Sequence, residues 1–114
     1  MSIFRVQTSI ATGAVNTNLL NGSKFEFLAR PAVITLYASN DDVNRIELDW
    51  TLGNAVVAED VNPNLAAAVG QILRNTDLIG SGVGDAGDRI QIRARNTDGA
   101  AAHIVNILMD INEV

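Results

Sequence analysis

Between Arg89 and Arg95 the chain alternates strictly. Ile90, Ile92 and Ala94 occupy one phase, and Arg89, Gln91, Arg93 and Arg95 the other. A period of two marks a strand with one buried face and one wet, cationic face. Gly87-Asp88 before it reads as a turn, and Thr97-Asp98-Gly99 after it as a second turn whose glycine can take φ > 0. Ala102 to Ile111 then reads as the partner strand, so the last quarter of the chain is expected to close as a hairpin.

The same alternation recurs upstream. Phe4, Val6, Thr8 and Ile10 share one phase of a first strand, against Arg5, Gln7 and Ser9. Residues 11–22 are small and polar and predict a loop, with a short strand near Leu19-Leu20. Lys24 to Leu28 places Phe25 and Phe27 on one side of Glu26. Pro31 cannot donate to a ladder, so it belongs at a strand start or edge. Ala32 to Ala38 reads as a strand, and residues 39–44 as a turn cluster. Arg45 to Leu52 is the cleanest strand, with Ile46, Leu48, Trp50 and Leu52 facing in; Gly53-Asn54 turns it towards Ala55 to Val61.

Residues 63–75 support two readings. Asn62 can cap a helix with Pro63 at its first position, and Leu65, Val69, Ile72 and Leu73 form a helical stripe. Gly70 interrupts that stripe, and Val69, Gln71 and Leu73 also alternate. Asp77 to Val83 reads as a strand, and Ser81 to Gly84 as a mobile loop. Short strands with turns about every ten residues predict one all-β domain over residues 1–114. The architecture is an antiparallel β-sandwich, a jelly roll by preference, with at most one short helix.

Composition narrows the classes. A chain of 114 residues can bury a modest core without staples. It has no cysteine, which removes disulfide frameworks and thiolate metal sites. Met1-Ser2 runs straight into a strand pattern, so no signal peptide is expected, and no apolar run reaches the roughly 20 residues of a membrane span. The net charge of −5 argues against nucleic acid as a partner. Lys24 is the single lysine beside seven arginines, a bias that suits protein interfaces. Hydrophobic residues make up 47% of this small chain, a surplus that self-association would bury.

Candidate chemistry is sparse. His103 is the one histidine, so neither a zinc site nor a serine–histidine–aspartate system has its parts, and His103 reads as a partly exposed strand residue. Asp41-Asp42 and Asp85/Asp88 could offer oxygen ligands to calcium, but they lack the loop spacing and are also ordinary turn residues. The stretch Gly80 to Gly87 matches neither a P-loop nor a dinucleotide fingerprint. No catalytic residue, cofactor or metal is therefore expected. Two surfaces remain as candidate protein interfaces. Arg89, Arg93 and Arg95 fall on one strand face, either as a solvated surface paired with neighbouring carboxylates or as a contact for an acidic partner. In the last strand, Ile104 and Leu108 place apolar groups on the side opposite His103, Val105, Ile107, Met109 and Ile111, which calls for cover by another chain or by the terminal segment.

The segment Ala86-Gly-Asp-Arg-Ile-Gln-Ile-Arg-Ala-Arg-Asn96, a short turn and an apolar final strand ending Ile-Asn-Glu-Val resembles the closing strands of jelly-roll virion proteins. In size and texture the chain is similar to the small cement or decoration proteins of tailed bacteriophages. That resemblance implies a structural protein of the virion that forms homo-oligomers, a trimer by preference, and binds a major capsid protein. It implies no membrane or nucleic-acid partner, and it carries no site residue with it. The competing expectation is a carbohydrate-binding or adhesion module, which would need Trp50 or Tyr37 exposed as a sugar platform.

Overall fold

The computed structural model describes residues 2–41, 45–65 and 77–113. All regular structure among them is β: β1 (Ser2–Ile10), β2 (Val15–Asn16), β3 (Ala32–Asn40), β4 (Ile46–Leu52), β5 (Ala55–Val61), β6 (Asn64–Leu65), β7 (Leu78–Gly84), β8 (Ile90–Asn96) and β9 (His103–Glu113). They form two sheets. One runs β1-β9-β3, with β7 antiparallel to β3 and the two-residue β6 parallel to its far end. The other runs β2-β8-β4-β5, antiparallel throughout. The fold is thus an all-β sandwich, and its strand order is consistent with a jelly roll.

The alternation in the sequence becomes the core. Ile46, Leu48, Trp50 and Leu52 of β4 and Ile90, Ile92 and Ala94 of β8 face Ile34 and Leu36 of β3 and Val105, Ile107 and Met109 of β9, all of them buried. Trp50 is wholly enclosed, which removes it as a sugar platform. Pro31 immediately precedes β3, as its missing N–H requires. Gly53, at φ 57°, makes the β4–β5 turn.

The last quarter departs from expectation. β8 and β9 are not a hairpin: β8 pairs with β2 and β4, whereas β9 lies between β1 and β3 in the opposite sheet. Residues 97–102 therefore cross from one layer to the other. Gly99 is not among the glycines at positive φ, so the tight turn is not made. The Asn96 side chain instead donates to the carbonyls of Ile10 and Ala11 at the end of β1 and of Ala101 within the crossing. This arrangement lets two apolar strand faces meet across the core rather than side by side.

Three local expectations also change. The short strand of the first loop is at Val15–Asn16, while Leu19 and Leu20 are buried in turns. Glu26 is buried and Phe27 exposed, with Glu26 accepting from Gly22 N and from Arg89 Nε. Ser81 to Gly84 is strand rather than loop. Gly80, Gly82 and Gly84 face the core there, and a Cβ on Gly82 or Gly84 would stand 2.8 Å from Leu52 Cδ1 or 2.5 Å from Leu28 Cδ1. Glycine lets these large side chains occupy the space instead. The choice between helix and strand within 63–75 concerns residues mostly outside those described; Pro63 is placed without regular structure and Asn64–Leu65 as β6.

Candidate interaction surfaces and a buried polar cluster

Arg93 and Arg95 share the outer side of β8, and Arg89, one residue before it, continues the same phase. Each meets a carboxylate. Arg89 Nε lies 3.0 Å from Glu26 Oε2, Arg93 Nε 3.5 Å from Asp49 Oδ2, and Arg95 contacts both Glu47 and, at 3.1 Å, Asp60. The cause is register: Glu47 stands opposite Arg95 and Asp49 opposite Arg93 in the β4–β8 ladder. Cross-strand pairs of opposite charge support the ladder. The hydrogen bond and charge of Glu47 raise the Arg95 guanidinium above its ordinary value. The stripe is therefore a zipper of paired charges rather than a bare cationic face.

Ile104 and Leu108 lie on the outer side of β9, on the other sheet. Both are half-buried, flanked by Ser9 and Arg5 of β1, with Tyr37 of β3 beside Leu108. Asn106 between them is 1% exposed, and neither side-chain polar atom has a hydrogen-bond partner among the described residues. The five candidate interface residues thus divide between opposite faces of the sandwich: three arginines on one, Ile104 and Leu108 on the other. They form no single patch.

The histidine holds the main surprise. His103 is in phase with Val105 and Ile107, faces inward and is 7% exposed, not a partly exposed strand residue. Its Nδ1 lies 2.9 Å from Asp41 Oδ1 and its Nε2 2.7 Å from Asp98 Oδ2. Asp41 also accepts from Ile104 N, and Asp98 N donates to Asn96 Oδ1. An aspartate on each ring nitrogen makes the doubly protonated imidazolium the matched form. The bond to Asp98 raises the His103 pKa against the opposing effect of burial, with Asp41 adding to the rise. The same bond lowers Asp98, helped by the Ala100 N–H and by the Arg45 charge. The phase of His103 within the apolar face was the available signal; its partners, 62 and 5 residues away, were not visible. The two carboxylates sit on opposite sides of the ring and do not converge, and among the described residues no group of three or more acidic, histidine or cysteine side chains is arranged to hold a metal ion.

This cluster predicts a pH profile. A raised histidine contributes stability that is complete below its ordinary value of 6.5 and lost as pH climbs through the raised one. A lowered aspartate contributes stability that is complete above its ordinary 3.8 and lost as pH falls through the lowered one. The contribution is therefore full between those ordinary values and declines on either side. Melting temperature should fall from about pH 5.5 to about pH 8.5, and His103→Gln should at least halve that fall. An identical fall in both proteins would rule out the cluster as its source.

Asp85 and Asp88 cap a turn on themselves, with Asp88 Oδ2 accepting from Asp85 N at 2.8 Å and Gly87 at φ 88°. Asp42 lies outside the described residues. The sequence matches no protein-family model, and no curated protein matches it either.

Proposed function

We propose that this chain is a structural protein of a virus particle, a capsid cement or decoration component that self-associates and binds a larger protein shell, most simply the shell of a bacteriophage. The observation that carries this reading is the strand order β1-β9-β3-β7 over β2-β8-β4-β5, which is consistent with a jelly roll, an architecture used by many capsid proteins. The same architecture serves lectins. That alternative loses its main support with Trp50 enclosed; half-buried Tyr37 and exposed Phe27 are the aromatics left that could meet a sugar. Fold alone does not assign function, so the test is compositional. Particles purified on a density gradient from the source culture should contain this chain in a fixed ratio to their major shell protein. Its absence from such particles would end the proposal.

The arginine zipper gives a second measurement. Replacing Arg89, Arg93 and Arg95 together by Gln removes these pairs. Melting temperature should fall only modestly, because ion pairs at a sheet surface contribute little to stability. If the stripe docks on an acidic shell surface, binding to the particle weakens and loses its salt sensitivity. Unchanged affinity with unchanged salt dependence assigns the arginines to intramolecular pairing alone.

A further inference from the structure

The four outer edges of the sandwich are treated very differently. On one side, β5 carries two register shifts, a residue at φ 53° (Asp60) and two carboxylates, Glu59 and Asp60. Its neighbour β7 has three glycines in seven residues and a register shift against β3. Bulges and charge make β5 a poor template for another strand, and the register shift in β7 twists its edge away. On the other side, β2 is two residues long, and the rest of the β8 edge is sealed by the 18–28 segment: Asn18 bonds Ile90 O and Ile92 N, Leu19 N bonds Ile92 O, and Ile90 N bonds Glu26 O.

Strand β1 has no such device. Its nine residues pair with β9 in unbroken register from Ser2↔Ile111 to Ile10↔His103. It contains no proline, lysine or bulge, and its one charged residue, Arg5, stands on the outer face. Among the described residues no strand pairs with its other edge. A second observation lies on its inner face. Phe4 and Val6 pack against the core yet stay half-buried, whereas their neighbours on β9, Met109 and Ile107, are fully enclosed. The sandwich is open along this seam. Phe25 reaches Phe4 edge-on, at 5.3 Å between ring centroids, and closes only its middle. A cleft of about 260 Å³ lies at the end beside Ser2 and Phe27, and another of about 300 Å³ at the end beside Ser9 and Val15. Ile3, Val15 and Phe27, three of the six large hydrophobic residues described as exposed, stand along or beside the seam.

We infer that the β1 edge is the contact through which two copies of this chain pair, antiparallel, with Val6 on the two-fold axis. This rests on the self-association in the proposed function and names its contact. The occupant is a second copy because β1 is complementary to itself. Val6 is the midpoint of Ser2–Ile10, so a two-fold there pairs the whole strand. Phe4 then meets Thr8 of the second copy, Arg5 meets Gln7, and Ile3 meets Ser9. No like charges oppose each other, whereas a two-fold at Arg5 would set arginine against arginine. Residues of the same phase stay on the same face, so the half-buried Phe4–Val6 row continues into the second copy. Two-fold symmetry also brings the cleft at Phe27 beside the second copy's cleft at Val15. The contact is isologous and closes at two.

The chain has no cysteine, so single-cysteine variants report the register cleanly. Directly opposed residues of antiparallel strands lie about 4.5–5.5 Å apart at Cα, within disulfide reach. Val6→Cys should cross-link to a dimer under mild oxidation at least tenfold faster than Ala100→Cys at an exposed loop. Arg5→Cys and Gln7→Cys should each cross-link poorly alone and well when mixed. Light scattering of the unmodified chain should give twice the protomer mass, not the trimer that the resemblance favours. Self-association with no Val6→Cys preference would overturn the β1 contact while leaving the proposed function standing. A protomer that stays monomeric at about 100 μM, well above the affinity of ordinary stable dimers, would overturn it as well. Absence from virus particles bears on the function alone.

Discussion

Asn18→Ala is expected to destabilise the protein by about 3–5 kcal/mol, far more than a polar residue in a loop usually costs. Asn18 is 3% exposed, and its side chain acts as a piece of strand. Nδ2 donates to Ile90 O at 3.2 Å, and Oδ1 accepts from Ile92 N at 3.2 Å. The side-chain amide thus offers β8 one donor and one acceptor where β2 has already ended. Oδ1 also accepts from Leu20 N at 3.1 Å, which holds Leu20 in the core. Alanine leaves three buried backbone groups without those partners, each worth about 1–3 kcal/mol and less than additive together. Asn16→Ala is the comparison, because Asn16 Oδ1 accepts from Asn18 N at 3.2 Å at a half-buried site. Urea unfolding of the two variants decides the point. A loss below about 1 kcal/mol for Asn18→Ala, the net worth of one ordinary hydrogen bond, would mean that water replaces the amide and that β8 does not depend on it.

Asn18 also shows what the sequence could and could not convey. Period-two patterning located β1, β3, β4, β8 and β9 within a residue or two, because each has an inner face that must exclude water, and the Gly53-Asn54 turn located β5 as the partner of β4. Patterning reports which face is buried, not which strand lies alongside. β8 and β9 therefore read as a hairpin: both alternate, and Thr97-Asp98-Gly99 has turn chemistry. Their placement in different sheets is accompanied by Asn96 bonding Ile10 and Ala11, contacts 86 and 85 residues apart. The glycines of β7 misled for a related reason. Glycine is read as loop chemistry, but at positions 80, 82 and 84 it answers to Trp50, Leu52 and Leu28, which come from elsewhere in the chain. The arginine stripe was legible as a stripe. That it is a zipper followed from the β4–β8 register, which pairs Arg93 with Asp49 and Arg95 with Glu47. The polar residues Asn18, Asn96, Asp41 and His103 were the least legible, since a polar residue gives no sign from its own position of whether its partners are protein or water.

The second large effect is expected at Asn96, 1% exposed at the end of β8. Its Nδ2 donates to Ile10 O and Ala101 O at 3.0 Å and reaches Ala11 O at 3.3 Å, while Oδ1 accepts from Asp98 N at 2.9 Å. One side chain thereby ties the end of β1 to the crossing between sheets and positions the aspartate that faces His103. Asn96→Ala should cost about 3 kcal/mol, on the scale of about 1–3 for each buried group left unpaired. Asn96→Asp should do no better. It keeps the acceptor for Asp98 N but loses the donor, and sets a carboxylate against two or three carbonyl oxygens. The sharper reading comes from coupling. If Asn96 positions Asp98, then Asn96→Ala also flattens the pH profile assigned to His103. Its cost and that of His103→Gln should then fall short of additive by at least about 0.5 kcal/mol near pH 6, the usual threshold for residues sharing a network. Strict additivity would separate the two: Asn96 would be a clasp for the crossing alone, and the Asp41–His103–Asp98 cluster would hold its geometry without it.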